Sequence, residues 1–323
     1  MAEKIKIGFL PNNILDYNNC LASQRLRIHD VIDFFKNDKI YSLGLYNNNI
    51  KYDIVVFQKF FDSRALSEVD RIKSKKTKIV LDINVNYYET KSSYILKKQK
   101  NDIHKFTSLC DGIITTSKHI EDAVFTFFNK KYIKTICESI HDKYFNITKK
   151  QKDIKTFVWS GLSQKADCFH LIKDPLLDIY KDKKFELLVI SEKNPRIKIG
   201  KIPIKYIKYN EDEITNLLVD GDVFIAPRDL SDYYNLGHSF TKIGVAMAAG
   251  IPCIASPVPS YLGSPAIICQ NDNEWREELH SLLTKKTNTQ KLSKDGINYC
   301  KQGFSKEKIK KCYKTFFNTL MSL

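Results

Sequence analysis

HSFTKIGVAMAAGIPCIASP, residues 238–257, sets a serine, a threonine and a lysine at the head of a run of small residues, then Gly250 and a short apolar stretch. The pattern predicts a helix beginning after Ser239, with Ser239 as N-cap and Gly250 as its C′ stop, and behind it a buried strand, IPCIAS (251–256). Gly244, Ala246, Ala248 and Ala249 would let that helix approach a sheet closely. A lysine in its first turn opposes the macrodipole, which already presents positive charge there. A bound phosphate resolves the conflict, because the amides of Phe240, Thr241 and Lys242, the nearby hydroxyls and the ammonium all offer donors to one anion. The plainer alternative keeps Ser239 as a cap only, Thr241 in solvent and Lys242 turned away from the dipole.

Upstream, DVFIAP (222–227) reads as a strand, and the connection to the helix, PRDLSDYYNLGH, is twelve residues long. Strand-to-helix loops usually take about 2–6 residues, and longer ones tend to carry function. Arg228 in this loop is a second candidate phosphate ligand; its alternative is a surface arginine paired with Asp229 or Asp232.

The same alternation runs through the chain. KIKIGFL (4–10), YDIVVFQ (52–58), KIVLDI (78–83), DGIITTS (111–117) and YIKTICESI (132–140) read as strands. Helical patterns lie between them, among them SQRLRIHDVIDFF (23–35) with Ser23 as N-cap, 65–73 and 118–128. After the lysine-rich stretch 141–155 the pattern restarts with TFVWSGL (156–162), FELLVIS (185–191) and IKYIKYN (204–210). Strands alternating with helices imply parallel sheets with right-handed crossovers. The expectation is an α/β chain of two Rossmann-like domains facing across a cleft, residues 1–150 and 151–304. A C-terminal amphipathic helix, 305–323, carries Ile309, Cys312, Tyr313, Phe316, Phe317 and Leu320 on one face and would pack back on the first domain. The G-x-G-x-x-G fingerprint of dinucleotide enzymes is missing after the first strand, where IGFLPNNILDYNN has one glycine.

A formal charge of +15 over 323 residues favours polyanions, anionic membrane surfaces or phosphorylated substrates, with a merely solvated lysine-rich surface as the alternative. Nucleic acid is not expected as a partner, since RNP-like aromatics, zinc spacing and a compact recognition helix are missing outside the C-terminal helix. The eight cysteines are scattered, without CxxC pairs or metal-ligand spacing, and fit a reducing compartment. With no signal-peptide pattern and no apolar run of spanning length, the protein is expected to be cytoplasmic or peripheral at the inner membrane face.

DVFIAP, the long loop, the small-residue helix, GIPCIASPVPSY and NDNEWREELHSLL together resemble the C-terminal half of GT-B glycosyltransferases, the nucleotide-sugar enzymes of bacterial polysaccharide biosynthesis. VWSGL (158–162), CDGIITTS (110–117) and CLASQRLRIHDVIDFF (20–35) extend the resemblance over nearly the whole chain. It implies a nucleotide-sugar donor and a cell-surface glycan or lipid-linked acceptor. The donor diphosphate would lie against Ser239, Phe240, Thr241 and Lys242, with Ser160 and Gly161 on its other side and Arg228 as a further ligand. The base would lie near Ile207 and Tyr209, although Tyr209 also reads as a plain strand aromatic. Where retaining members carry Glu-x7-Glu, this chain has Gly237 and Val245. Neither carboxylate contact carries over, so retention is unsupported. Transfer of an activated alditol phosphate, or a scaffold that binds nucleotide or glycan without turnover, stays open. No DxD motif is present, so neither a metal nor another cofactor is expected. For an inverting reaction the candidate bases are Asp16, His29 and Asp82; Asp82 also reads as a strand-end cap and His29 as a satisfied helix-face histidine. Arg25 and Arg27 are candidate contacts for an acidic or phosphorylated acceptor, or residues of an exposed helix face.

Overall fold

The computed structural model describes residues 3–17, 19–73, 77–89, 95–145 and 153–323. By internal contacts the chain divides into two units: Met1–Ser139 with Asp232–Ser239 and Lys306–Leu323, and Ile140–Ser231 with Phe240–Ser305. The domain boundary expected near residue 150 lies outside the described residues.

The first unit is built on β1 (Ile5–Pro11), β2 (Tyr41–Leu45), β3 (Ile54–Gln58), β4 (Lys78–Ile83), β5 (Gly112–Thr115) and β6 (Tyr132–Thr135). All pair in parallel in the order β2-β1-β3-β4-β5-β6. Its helices are α1 (22–34), α2 (Ser63–Lys73), α3 (Lys97–Leu109) and α4 (Lys118–Phe127). One sheet face carries Val55, Phe57, Leu81 and Ile113, packed with Phe106, Ile120 and Val124. The other carries Ile7, Phe9, Val56, Val80 and Ile114, packed with Ile28, Val31 and Phe35 of α1. The segment Lys306–Ser322, the last helix of the chain, covers that second face with Tyr313, Phe316, Phe317 and Leu320, all 0% exposed. Burying each aromatic ring stabilises by roughly 1.5–3 kcal/mol. Asp38 holds the helix in place: Lys310 and Lys314 approach its carboxylate to 3.1 and 2.6 Å. Burial raises the Asp38 pKa, but the two lysines and backbone amides outweigh it and leave the carboxyl well below its ordinary range.

In the second unit β7 (Thr156–Ser160), β8 (Glu186–Ser191), β9 (Ile204–Lys208), β10 (Val223–Ala226), β11 (Cys253–Ala255) and β12 (Ile267–Ile268) run parallel in the order β12-β11-β10-β7-β8-β9. A 3-10 segment, Ser163–Ile172, leads into α5 (Lys173–Asp182). Then follow α6 (Ile214–Val219), α7 (Tyr233–Leu236, grouped with the first unit), α8 (Thr241–Ala248), α9 (Asp272–Leu283) and α10 (Thr289–Phe304); the chain ends in α11 (Lys306–Ser322).

Helix α8 ends as the sequence predicts. Gly250 has φ +75°, its amide donates to Met247 O at 2.9 Å, and the Ile251 amide donates to Ala246 O at 3.0 Å, the paired bonds of a Schellman stop. Gly244 is needed for packing, since a Cβ there would lie 2.7 Å from the Phe240 ring and 2.8 Å from Ile140.

Two expectations are corrected. Ser239 is not the cap of α8: Phe240 occupies that position in helical backbone, with no side-chain cap bond, and its buried ring stacks on Phe304 at 4.3 Å between centroids. Ser23 does not cap α1 either. The cap position is Leu21, and Arg25–His29 forms a π-helical turn inside the helix.

Candidate functional site

Strand β7 leads to β8 on one side of its sheet and has β10 on the other, so the order of strands reverses between β7 and β10. Ligands of open α/β sheets bind beyond the carboxyl ends of the strands at that point. Here β7 delivers Ser160 and Gly161, β10 delivers Arg228, and α8, next along the chain, delivers Lys242.

The lysine puzzle has a geometric answer. Rather than extending into solvent, Lys242 crosses to the end of β7. There its Nζ donates to the Ser160 carbonyl and sits over the Trp159 ring, 4.7 Å from the centroid. Gly161 is what lets the loop pass: a Cβ would lie 2.8 Å from the Trp159 ring and 3.0 Å from Lys242 Nζ. Burial, reinforced by the positive charges of Arg228 and Lys165, pulls the Lys242 pKa down to about 7.

Arg228 is 7% exposed, and its amide donates to Ser256 Oγ at 2.9 Å at the end of β11. Its guanidinium lies beside the Tyr261 hydroxyl, and its Nε has no hydrogen-bond partner. Among the described residues neither Arg228 nor Lys242 forms an ion pair with a carboxylate, which corrects the expectation of a surface arginine paired with Asp229 or Asp232. An acidic group at this edge, Glu192 after β8, is taken up locally. It accepts from the Ser163 amide at 2.9 Å, Ser163 Oγ at 2.5 Å and Ser191 Oγ at 2.8 Å. Burial raises its pKa, but these bonds outweigh it and bring it down to about 2. Arg228 and Lys165 thus both press their positive charge on Lys242, and Glu192 is not paired with Arg228 or Lys242. Such an arrangement can receive an anion with several oxygens.

Of the residues expected on the donor side, Ser160, Gly161, Arg228 and Lys242 come together. Thr241 adjoins them, half-buried, in the first turn of α8, while Phe240 contributes its backbone and keeps its ring in the core. Ile207 lies in register with Ile190 and Ser160, two strand spacings away, about 10 Å along the row. Tyr209 follows β9; its amide donates to Ser191 O at 2.8 Å and its hydroxyl to Glu211. Lys165, Trp159 and Tyr261 were not anticipated. For Lys165 the available signal was a cation shortly after the Ser160-Gly161 loop.

In the first unit two expectations are overturned. Asp82 is 0% exposed and accepts two bonds from Arg27 Nε, at 2.7 and 3.0 Å, and Arg27 Nη1 donates to Ile136 O at 2.7 Å. Arg27 is 1% exposed, so it is neither on an exposed face nor an acceptor contact, and a carboxylate sealed in this pair is no general base. Burial opposes charge on both, yet Asp82 holds the Arg27 pKa above its ordinary value. Arg25 is also buried, with its guanidinium 5.7 Å from the Tyr17 ring centroid. Asp16 is exposed and closes the turn before α1, accepting from the Asn19 amide at 3.0 Å. His29 Nε2 lies 3.0 Å from Leu15 O and must carry the proton to bond a carbonyl, which leaves Nδ1 as the basic nitrogen of the neutral ring.

All eight cysteines are free. Among the described residues no helix is long and apolar enough to cross a membrane.

No protein-family profile matches the sequence, and no curated protein matches it. Solved structures do match. A glycosyltransferase from Rickettsia africae superposes with a TM-score of 0.71 at 11% identity, over 99% of each chain. HepE from Anabaena, crystallised with UDP, gives 0.68 at 12% identity, over 98% of this chain and 100% of HepE. TarM of S. aureus gives 0.63 at 16% identity, over 82% of this chain and 54% of TarM, so the chain spans about half of TarM's length. At these identities the likeness speaks for architecture: the chain has the GT-B fold of two Rossmann-like domains that these glycosyltransferases share.

Proposed function

We propose that the protein is a glycosyltransferase that takes a sugar from a nucleotide-activated donor and passes it to a glycan or lipid-linked acceptor. The observation that carries the reading is the uncompensated pair Lys242 and Arg228 at the reversal point of the second sheet, backed by Lys165. A donor diphosphate seated there accepts from both cations and from the first-turn amides of α8. As the bond to the sugar breaks, negative charge grows on the departing nucleoside diphosphate, and fixed cations stabilise it without a metal ion. HepE with UDP-glucose and GtfA with UDP and GlcNAc are relatives in fold whose crystals hold such compounds. The row Ser160–Ile190–Ile207 offers the base a seat along the edge, with Tyr209 beyond it. For an inverting reaction Asp16 and His29 remain as bases to take the acceptor proton. The charge of +15 suits an acceptor displayed on an anionic membrane surface.

A second reading, transfer of an alditol phosphate from a nucleotide-activated donor, is favoured by Gly237 and Val245, which leave no carboxylate side chain for a donor sugar at those positions. Release of nucleoside mono- or diphosphate from UDP-, GDP- and ADP-sugars and from CDP-glycerol separates the two. A nucleotide sugar should be consumed, and Lys242→Ala should slow it by about 10²-fold or more. Consumption of CDP-glycerol alone would transfer the assignment to the second reading, and no consumption of any donor would remove both.

A further inference from the structure

The first sheet also reverses its order, between β1 and β3, and its carboxyl edge holds groups that the donor chemistry leaves unused. Gln58, the last residue of β3, is 4% exposed and lies in register between Pro11 and Asp82. Its Nε2 is buried without a hydrogen-bond partner. Two more buried polar atoms without partners, Asn84 Oδ1 and Thr116 Oγ1, lie one residue past the ends of β4 and β5. Lys59 follows Gln58 in the left-handed region, φ +51°, with its amide held by Asp82 O at 2.9 Å. No carboxylate or hydrogen-bond acceptor among the described residues meets its ammonium, and burial lowers its pKa.

Each of these features is costly. A left-handed backbone at a residue with a side chain is strained. A buried polar atom without a partner forgoes the bonds that water would have given it. Four such costs on three neighbouring strand ends, at the ligand-binding edge of the sheet, are offset when a ligand completes the bonds. The chemistry of that ligand follows from the groups. An ammonium without a counter-ion calls for an anion, while an amide N–H, a hydroxyl and an amide carbonyl suit hydroxyls.

We propose that Lys59, Gln58, Asn84 and Thr116 form the acceptor-recognition edge of the first unit and that the acceptor is an anionic, hydroxylated compound, its phosphate or carboxylate seated on the Lys59 ammonium. Naming this ligand as acceptor rests on the transferase reading; the site itself does not.

The test uses Lys59→Gly, which removes the ammonium and relieves the backbone at once. Binding of glycerol phosphate, gluconate, glycerol and inorganic phosphate is followed by calorimetric titration in Lys242→Ala protein, so that the second unit's cations do not compete. Glycerol phosphate or gluconate should bind at least tenfold more tightly than glycerol or inorganic phosphate, and which of the two binds tells phosphate from carboxylate. Adding Lys59→Gly should abolish that binding while the melting temperature holds or rises. Equal binding of inorganic phosphate, no binding of either hydroxylated anion, or unchanged binding after Lys59→Gly would overturn the proposal. Loss of binding together with a lower melting temperature would also count against it. The donor response of protein with Lys242 intact is measured separately, so a failed transferase reading shows there and not here.

Discussion

The carboxyl edges of the two sheets each hold buried cations, and Arg27 in the first is treated in the opposite way to Lys242 and Arg228 in the second. In the first, Arg27 is neutralised by Asp82 through two bonds to Nε. In the second, Lys242 and Arg228 stand beside each other with no carboxylate partner among the described residues, and Glu192 is spent on Ser163 and Ser191. The paired cation is architecture: removing it leaves a buried carboxylate alone. The unpaired cations destabilise the fold that holds them, and that is the signature expected of groups kept for a ligand.

The contrast can be broken by substitution. Arg27→Met should destabilise the protein by about 3–5 kcal/mol, measured by denaturant unfolding, and adding Asp82→Leu should recover much of the loss. If Arg27→Met is neutral, the pair is not structural and the contrast fails.

A smaller effect, and a sharper one, comes from pH. The Lys242 pKa is lowered from 10.5 to about 7 in the folded protein. Between those values the unfolded chain holds more protons, so the unliganded protein gains stability as pH rises through about 7, and the penalty is fully present below it. Donor affinity should move the other way, because above pH 7 the ammonium is lost and must be regained on binding. The dissociation constant for a nucleotide sugar should rise by about tenfold per pH unit above 7. Lys242→Arg, charged throughout, should flatten the profile; a flat profile in the unsubstituted protein would show that Lys242 is not the ligand.

Much of the fold was legible because its signals are local. Strand β4 falls on 78–83 as the apolar run KIVLDI indicates, and the stop at Gly250 follows from a glycine after a small-residue helix. Elements with weak local signals escaped. Strand β2 is an edge strand whose burial mostly stays partial, and α3 is mostly polar, burying Ile103, Phe106 and Thr107. The site was half legible. Ser160, Gly161, Arg228 and Lys242, expected together, do come together, but the cap at Ser239 was not borne out, because packing of Phe240 on Phe304 sets the start of α8. The Arg27–Asp82 pair joins residues 55 apart in sequence, and the π-helical turn that brings the arginine inward has no marker in RLRIH. Lys59 was missed for the same reason: its φ and its missing counter-ion are tertiary facts.

The most direct measurement is a thermal-shift titration with UDP, GDP, CDP and ADP on the unsubstituted protein and on Lys242→Met. The account predicts that one nucleotide raises the melting temperature of the first, by the linkage of binding to folding, and leaves Lys242→Met unmoved, while Lys242→Met alone melts no lower than the parent. An equal shift in both proteins, or none with any nucleotide, would contradict it.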